Sequence, residues 1–466
     1  VTQSYSRPED AGRPEPGDGP EPGGTHRPPP RIPRTWRRLW LPAVWPSRRV
    51  RFADVAAPRA LDRSRTRMAL LLAVAVMLGS GLWLLRWSGS AATATPDTFW
   101  YARDALRYAG WSAPAADRTA AEITCSALMR GDPRPAGGYG NCVRYRTALP
   151  GTAPVRFQRI FTSRPGYPLL AVPFVRAMGP TGFAVATAAL GVACGVAAVL
   201  LALAIGLRPV QALLAETLFY LLPTGFWGSR LLAEAPMMLC VLAALAGAVL
   251  VLRGRAVIAG SALLACALAL LCVVKPANGV ALAAALAAGA VLLLPVFASR
   301  RAFLAVAGIA ALVLAGNLWI SDALHLPGVH ETLQDTFTRH FRRPDVPDPW
   351  HRLSGAVGDL WSDDIGPAML DDPLIPAAFL LAAAGLVARV RWDAAWPLAA
   401  AGLTGAAVAS MHPIVNETPR LTIAAWIPVA FGLAALAAPT AERPDDHVHA
   451  RPRHVDTETA DLTPGR

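Results

Sequence analysis

Charge is scarce in this sequence. Asp, Glu, Lys and Arg make up 16% of its 466 residues, against roughly a quarter in an average soluble domain. With 54% of the chain hydrophobic, that shortage excludes a single water-soluble globule. Lysine is nearly missing: Lys275 stands alone beside 43 Arg. Together with abundant Ala, Pro and Gly, this bias points to a GC-rich bacterial genome of the actinobacterial kind rather than to any chemistry. Cysteine is sparse too, with six residues, none spaced with His for zinc. His325, His330, His340 and His351 form no ligand pattern, so no metal centre is expected. Nucleic-acid modules are absent, which removes that partner class despite a net charge of +12.

The charge that exists is unevenly placed. Residues 1–67 hold 14 Arg against 7 acids, with 12 Pro and 5 Gly and no sustained apolar period. Such a tail cannot bury enough surface to offset its ordering entropy and is expected to be disordered. Within it, the stretch from Trp36 to Arg51 alternates aromatics and cations and could lie among lipid headgroups or in water. A second tail is expected over 439–466. The first apolar run begins only at Met68 with no cleavage site after it, which argues against a signal peptide.

Between the tails, ten apolar runs are long enough to be membrane spans: Met68–Leu85, Gly182–Ile205, Val210–Trp227, Ala235–Leu252, Ala256–Val274, Ala277–Ala298, Ala302–Ile320, Leu374–Ala388, Ala394–Met411 and Leu421–Ala438. The expected fold is therefore an all-α integral membrane protein over 68–438. Basic residues mark alternate turns: Arg208, Arg253 and Arg255, Arg300 and Arg301, Arg389 and Arg391. By the positive-inside rule both termini lie inside, and the basic tail favours anionic membrane lipids. Two large segments, about 86–181 and 321–373, then fall outside. Glu216 is the one charge within a span, and it is expected to reach the inner headgroups. Cys125 and Cys142 share the first outer segment, in an oxidising compartment, and are expected to form a disulfide.

Several motifs cluster at the outer ends of these runs. The first outer segment opens with Asp97-Thr98-Phe99-Trp100-Tyr101 and an Ala-rich helical stretch. It closes with Tyr167-Pro168-Leu169-Leu170-Ala171-Val172-Pro173-Phe174 and then Gly179. Leu221-Leu222-Pro223 is followed by Ser229-Arg230-Leu231-Leu232-Ala233-Glu234-Ala235-Pro236, and Lys275-Pro276 ends a later span. Over residues 68 to about 280 this pattern resembles the GT-C superfamily of membrane glycosyltransferases. That superfamily includes protein O-mannosyltransferases, lipid A aminoarabinose transferases and actinobacterial arabinosyl- and mannosyltransferases. From 281 to 438 the likeness is one of helix count and apolarity. Two departures stand out. Many members carry two adjacent acids where Asp97 is followed by Thr98, leaving Asp104 as the second carboxylate. The soluble C-terminal domain of some relatives is missing.

The resemblance implies transfer, with inversion, of a sugar from a polyprenyl-phosphate donor to a glycan, lipid or protein acceptor outside the bacterial plasma membrane. The chemistry needs a base for the acceptor hydroxyl and cations for the departing phosphate. Asp97 is the expected base, with Asp104 as its alternate on the same helix face; Asp97 would otherwise serve as a helix cap. Trp100, Tyr101 and Tyr167 are expected to line the sugar site. Glu234 could hold the acceptor or, with Asp97, a divalent cation (Mg or Mn). Arg230, Lys275 and Arg420 are the phosphate candidates; each also suits headgroup snorkelling. The rival readings are a lipid or solute transporter or flippase, which would need more polar residues at mid-membrane, and a non-catalytic scaffold of the same fold.

Overall fold

Long apolar runs with almost no internal charge satisfy their backbone hydrogen bonds most simply as helices, since lipid offers no partners. A computed structural model describes residues 58–90, 93–130, 138–297 and 299–437, and among them every regular element is helical. Most of the 1–67 tail, the Trp36–Arg51 stretch and all of 439–466 lie outside the described residues. By contacts the chain divides at Leu61, and of the first unit only 58–61 are described.

The first helix, α1 (Pro58–Gly89), starts ten residues before the expected Met68. Pro58 suits a first turn, where no N–H partner is needed. Five helices follow: α2 (Thr98–Tyr108), α3 (Ala113–Leu128), α4 (Gly138–Thr152), α5 (Val155–Thr162) and α6 (Gly166–Met178). Then come α7 (Thr181–Ala204), α8 (Pro209–Leu221), α9 (Pro223–Gly228), α10 (Glu234–Leu252), α11 (Val257–Val274), α12 (Pro276–Leu293) and α13 (Arg300–Ala323). The second large segment holds α14 (Val329–Phe337), α15 (Pro349–Asp359) and, after a wide turn, α16 (Gly366–Asp371). The chain ends with α17 (Leu374–Arg389), α18 (Trp392–Met411), the one-turn α19 (Thr418–Leu421) and α20 (Trp426–Leu436).

Among the described residues, eight helices are long and apolar enough to cross a membrane, not the ten read from the sequence. The two that fall short have visible causes. The Val210–Trp227 run breaks into α8 and α9 because Pro223 lacks an N–H and holds Leu222 extended (ψ 174°). The Leu374–Ala388 run yields a helix of 16 residues, which meets Pro349–Asp371 at 86°.

α10 is the hub, flanked by α7, α11 and α18, with 78% of its apolar window buried. α17 and α20 approach closely where Gly385 faces the Gly432 carbonyl and Gly432 faces the Ala382 carbonyl, leaving no room for a Cβ on either glycine. At the other extreme only 17% of the α1 window is buried, and Leu70, Met77, Leu84 and Leu85 are exposed. An apolar face of that extent is at home against lipid. Glu216, expected to reach headgroups, is instead fully buried. Its α8 packs against α7, and glycines on α1 and α7 make room for the carboxyl.

The ends of the bundle differ. At one end Arg253, just past α10, donates to the carbonyls of Ala204 (2.7 Å) and Ile205 (2.8 Å) at the close of α7. At the other end of α10 lie Glu234 and the two large segments. These segments are joined: Arg156 of α5 pairs with Glu331 (2.8 Å) and Asp345 (2.8 Å), and Arg159 donates to the His325 carbonyl (2.7 Å). A disulfide between Cys125 and Cys142 (Cα–Cα 5.9 Å) fastens α3 to α4.

Candidate functional site

Four of the residues singled out in the sequence meet at the Glu234 end of the bundle, each carried by a helix terminus. Asp97 immediately precedes α2, Glu234 opens α10, Lys275 sits in the break between α11 and α12, and Arg420 lies on α19. Arg420 is the centre. It donates from Nη1 to Asp97 Oδ2 (2.7 Å) and from Nη2 to Glu417 Oε2 (2.9 Å), and its Nε lies 3.4 Å from Glu234 Oε1. Lys275 Nζ donates to the same Glu234 oxygen at 3.0 Å. Glu234 is 3% exposed and Lys275 9%, while Asp97 keeps 23% of its side chain open. The cluster thus has a buried floor and one partly open carboxylate.

The field at Asp97 follows from this geometry. Burial raises its pKa, but the charge and hydrogen bond of Arg420, with the charges of Arg164 and Lys275, outweigh it. The carboxyl is held below the usual carboxylate range. Asp97 is therefore ionised at neutral pH and fixed in direction. Burial pulls the Lys275 ammonium below its ordinary value, against the opposing pull of Glu234.

A second ring of polar groups, from the second large segment and the end of α18, borders the cluster. His412 sits 3.9 Å from Glu417 through Nε2, and its Nδ1 is 2.7 Å from Thr336 Oγ1. Burial pushes its pKa down to about 4, so the imidazole is neutral at pH 7. Asp335 holds His340 at 3.1 Å, and the His340 ring lies 4.9 Å from Phe157. Arg339, His340 and Phe341 all adopt positive φ (52°, 62° and 57°). That turn costs these non-glycine residues about 1–3 kcal/mol each and persists only because the surroundings hold it.

Other expected site residues are placed differently. Asp104 is not brought to the cluster: it lies beside Arg103 (3.8 Å), which is itself bonded to Asp117 (2.7 Å) on α3. Seven residues carry it about 10 Å along the helix from Asp97. Trp100, Tyr101 and Tyr167, expected to line a sugar site, are at most 4% exposed. Trp100 stacks on Phe161 (5.6 Å), Tyr101 meets Tyr167 edge-on (5.6 Å), and the Tyr167 hydroxyl pairs with Thr187 (2.6 Å). Their rings are spent on packing α2 against α5 and α6. Burial pushes the Tyr101 phenol up to about 12. Asp97 stands at a cap position yet makes no capping bond; its oxygen goes to Arg420.

Arg230 is the least committed cation. Its guanidinium lies over the rings of Phe226 (4.1 Å) and Trp227 (4.9 Å), and its Nε has no hydrogen-bond partner. Among the described residues, no trio of His, Cys, Asp and Glu is gathered to hold a metal ion. Asp97 and Glu234 both lie against Arg420. Glu417, Arg164 and His412 were not singled out by sequence. The available signal was Glu417 three residues before Arg420, a spacing that brings two side chains together on a helical turn.

Beside the cluster lies an apolar cavity of about 770 Å³ between α17, α18 and α20, closed on one side by Trp361, Ile365 and Met369. The segment around α19 serves both places. Thr418, Pro419 and Thr422 line the cavity, while Glu417 and Arg420 reach into the charged cluster. No protein-family model, curated protein or solved structure matches the chain.

Proposed function

We propose that this protein is an integral membrane glycosyltransferase, moving a sugar from a polyprenyl-phosphate donor to an acceptor on the outer face of the plasma membrane, with inversion. One observation carries the reading: a partly open carboxylate, Asp97, is held by Arg420, and the segment that carries Arg420 also walls an apolar cavity in a lipid-facing bundle. A substrate with a lipid tail and a charged, sugar-bearing head asks for that combination. We also read the chain as crossing ten times with both termini inside. The broken α8–α9 pair and the short α17 count as crossings, and Arg208, Arg253, Arg300 and Arg389 lie at inner turns.

In this reading the acceptor oxygen attacks the sugar C1 as the bond from C1 to the donor phosphate breaks. Asp97 takes the acceptor proton. Arg420 works by holding Asp97 and Glu417 through two hydrogen bonds, with Glu234 3.4 Å from its Nε. Arg230, which holds no carboxylate among the described residues and whose Nε is unpartnered, is the cation for the departing phosphate, with Lys275 as electrostatic support. Trp100, Tyr101 and Tyr167 act as the frame behind Asp97.

The deciding experiment incubates membranes containing the full chain with radiolabelled polyprenyl-phosphate sugars, comparing wild type with Asp97→Asn. Transfer by wild type and its collapse in the variant supports the proposal. If wild type transfers no sugar from any polyprenyl donor supplied, the proposal fails.

A further inference from the structure

The cluster at the helix ends does not use Glu216, and this residue is unlike any acid there. It sits on α8 and is fully buried, and neither carboxyl oxygen has a hydrogen-bond partner. Among the described residues no Lys, Arg or His lies within ion-pair distance of it. An unpaired carboxylate in such surroundings costs several kcal/mol, and the ordinary escape is to keep the proton. The carboxyl is also built into the packing. A Cβ on Gly79 of α1 would meet Glu216 Oε1 at 2.8 Å, and one on Gly195 of α7 would collide with the same oxygen. Two glycines on two helices thus make a niche for one carboxyl head.

We propose that Glu216 is a neutral carboxylic acid in the folded protein, a proton-holding site at the junction of α1, α7 and α8 that hydrophobic carbodiimides modify selectively. The groups facing it are few. On its own helix Tyr220 shares the two glycine niches, and its hydroxyl donates to Gly191 O at 2.7 Å. From α7, the Cys194 thiol is engaged with Ala235 O at 3.2 Å. From α1, Arg86 donates to the carbonyls of Tyr220 and Leu221, in the last turn of α8. From α20, the carbonyls of Ala434 and Ala435 accept from Gln211. Among the described residues no cation is there to hold an ionised Glu216, and the Tyr220 hydroxyl is committed to Gly191 O.

Carbodiimides read this state directly. The carboxyl oxygen bonds to the central carbon of N=C=N while its proton passes to one nitrogen, giving an O-acylisourea. The acyl group then migrates to nitrogen, leaving a stable N-acylurea, and nothing departs.

The test treats the full chain in liposomes with dicyclohexylcarbodiimide or with a water-soluble carbodiimide, and maps adducts by peptide mass spectrometry. The expected result is that the hydrophobic reagent marks Glu216 at least about tenfold over Asp97, the change in protonated fraction that one pH unit produces. The water-soluble reagent should leave Glu216 untouched. Glu216→Gln, a neutral replacement of the same shape, should fold with an unchanged melting midpoint and lose that adduct. Failure of the hydrophobic reagent to mark Glu216 in wild type overturns the proposal and needs no variant to be interpreted. So does marked destabilisation by Glu216→Gln, which would mean that the negative charge is required.

Discussion

Asp97 and Asp104 belong to the same stretch of chain, seven residues apart, and the fold gives them opposite characters. Asp97 faces Arg420, a cation 323 residues away, and is held below the usual carboxylate range. Asp104 faces α3, and burial pushes it up to about 6 despite Arg103 and Arg107 nearby. The lesson is that an acid's role here is set by which helix end meets it. Only Asp97 is placed where charge from several spans converges. A base must be ionised and aimed before the acceptor arrives; Asp97 meets both conditions, while Asp104 is turned to Arg103 and the α3 side, away from the cluster.

The largest expected effect comes from removing what makes the difference. Arg420→Met leaves Asp97 and Glu417 without their shared partner. Breaking a buried pair from one side costs about 3–5 kcal/mol. A melting midpoint in detergent close to wild type would show that the guanidinium does not organise the cluster. Next, Asp97→Asn should lower sugar transfer by roughly 100-fold, the scale for losing a positioned base. Its stability cost should be about 1–3 kcal/mol, the worth of a hydrogen bond to a charged group, rather than the few tenths expected of a swapped helix cap. A wild-type turnover in this variant removes Asp97 from the chemistry.

Titration sharpens the contrast. Asp104, with its folded value raised to about 6, binds its proton more tightly folded than unfolded. Its contribution is therefore full below the unfolded value near 4 and is lost as pH rises through about 6. Asp97, with a lowered folded value, contributes above that same unfolded value and loses the contribution as pH falls below it. Melting midpoints between pH 4 and 7 should show Asp104→Asn gaining on wild type as pH rises, while the deficit of Asp97→Asn stays level. A flat Asp104→Asn difference would contradict the burial assigned to Asp104. The smallest effect is on transfer itself: Asp104→Asn should leave turnover at neutral pH unchanged, and a collapse there would move the base to Asp104.

Much of the candidate site's membership was legible, because Glu234, Lys275 and Arg420 each flank an apolar run and Asp97 opens the segment that follows the first one. Their partnerships were not legible. Glu234 and Lys275 are 41 residues apart and Asp97 and Arg420 are 323, and no local pattern encodes such pairing. The aromatic residues misled for a related reason: Trp100 and Tyr101 suit a sugar platform and a packed frame equally until their neighbours Phe157 and Phe161 are in place. Pro223 was visible in the sequence, but a hydropathy run counts apolar residues and does not register a missing N–H.

The sequence by itself determined that this chain is a set of apolar helices whose Asp, Glu, Lys and Arg residues, Glu216 apart, lie outside the apolar runs, because lipid solvation acts on each segment separately. Tertiary structure alone decided what those charges do. It turned Arg420 from a phosphate candidate into the anchor of Asp97, sent Asp104 to a separate packing site, and sealed Glu216 among glycines of neighbouring helices. The strength of a buried charge depends on what lies within a few ångströms of it, and in this protein those neighbours come from segments distant in sequence.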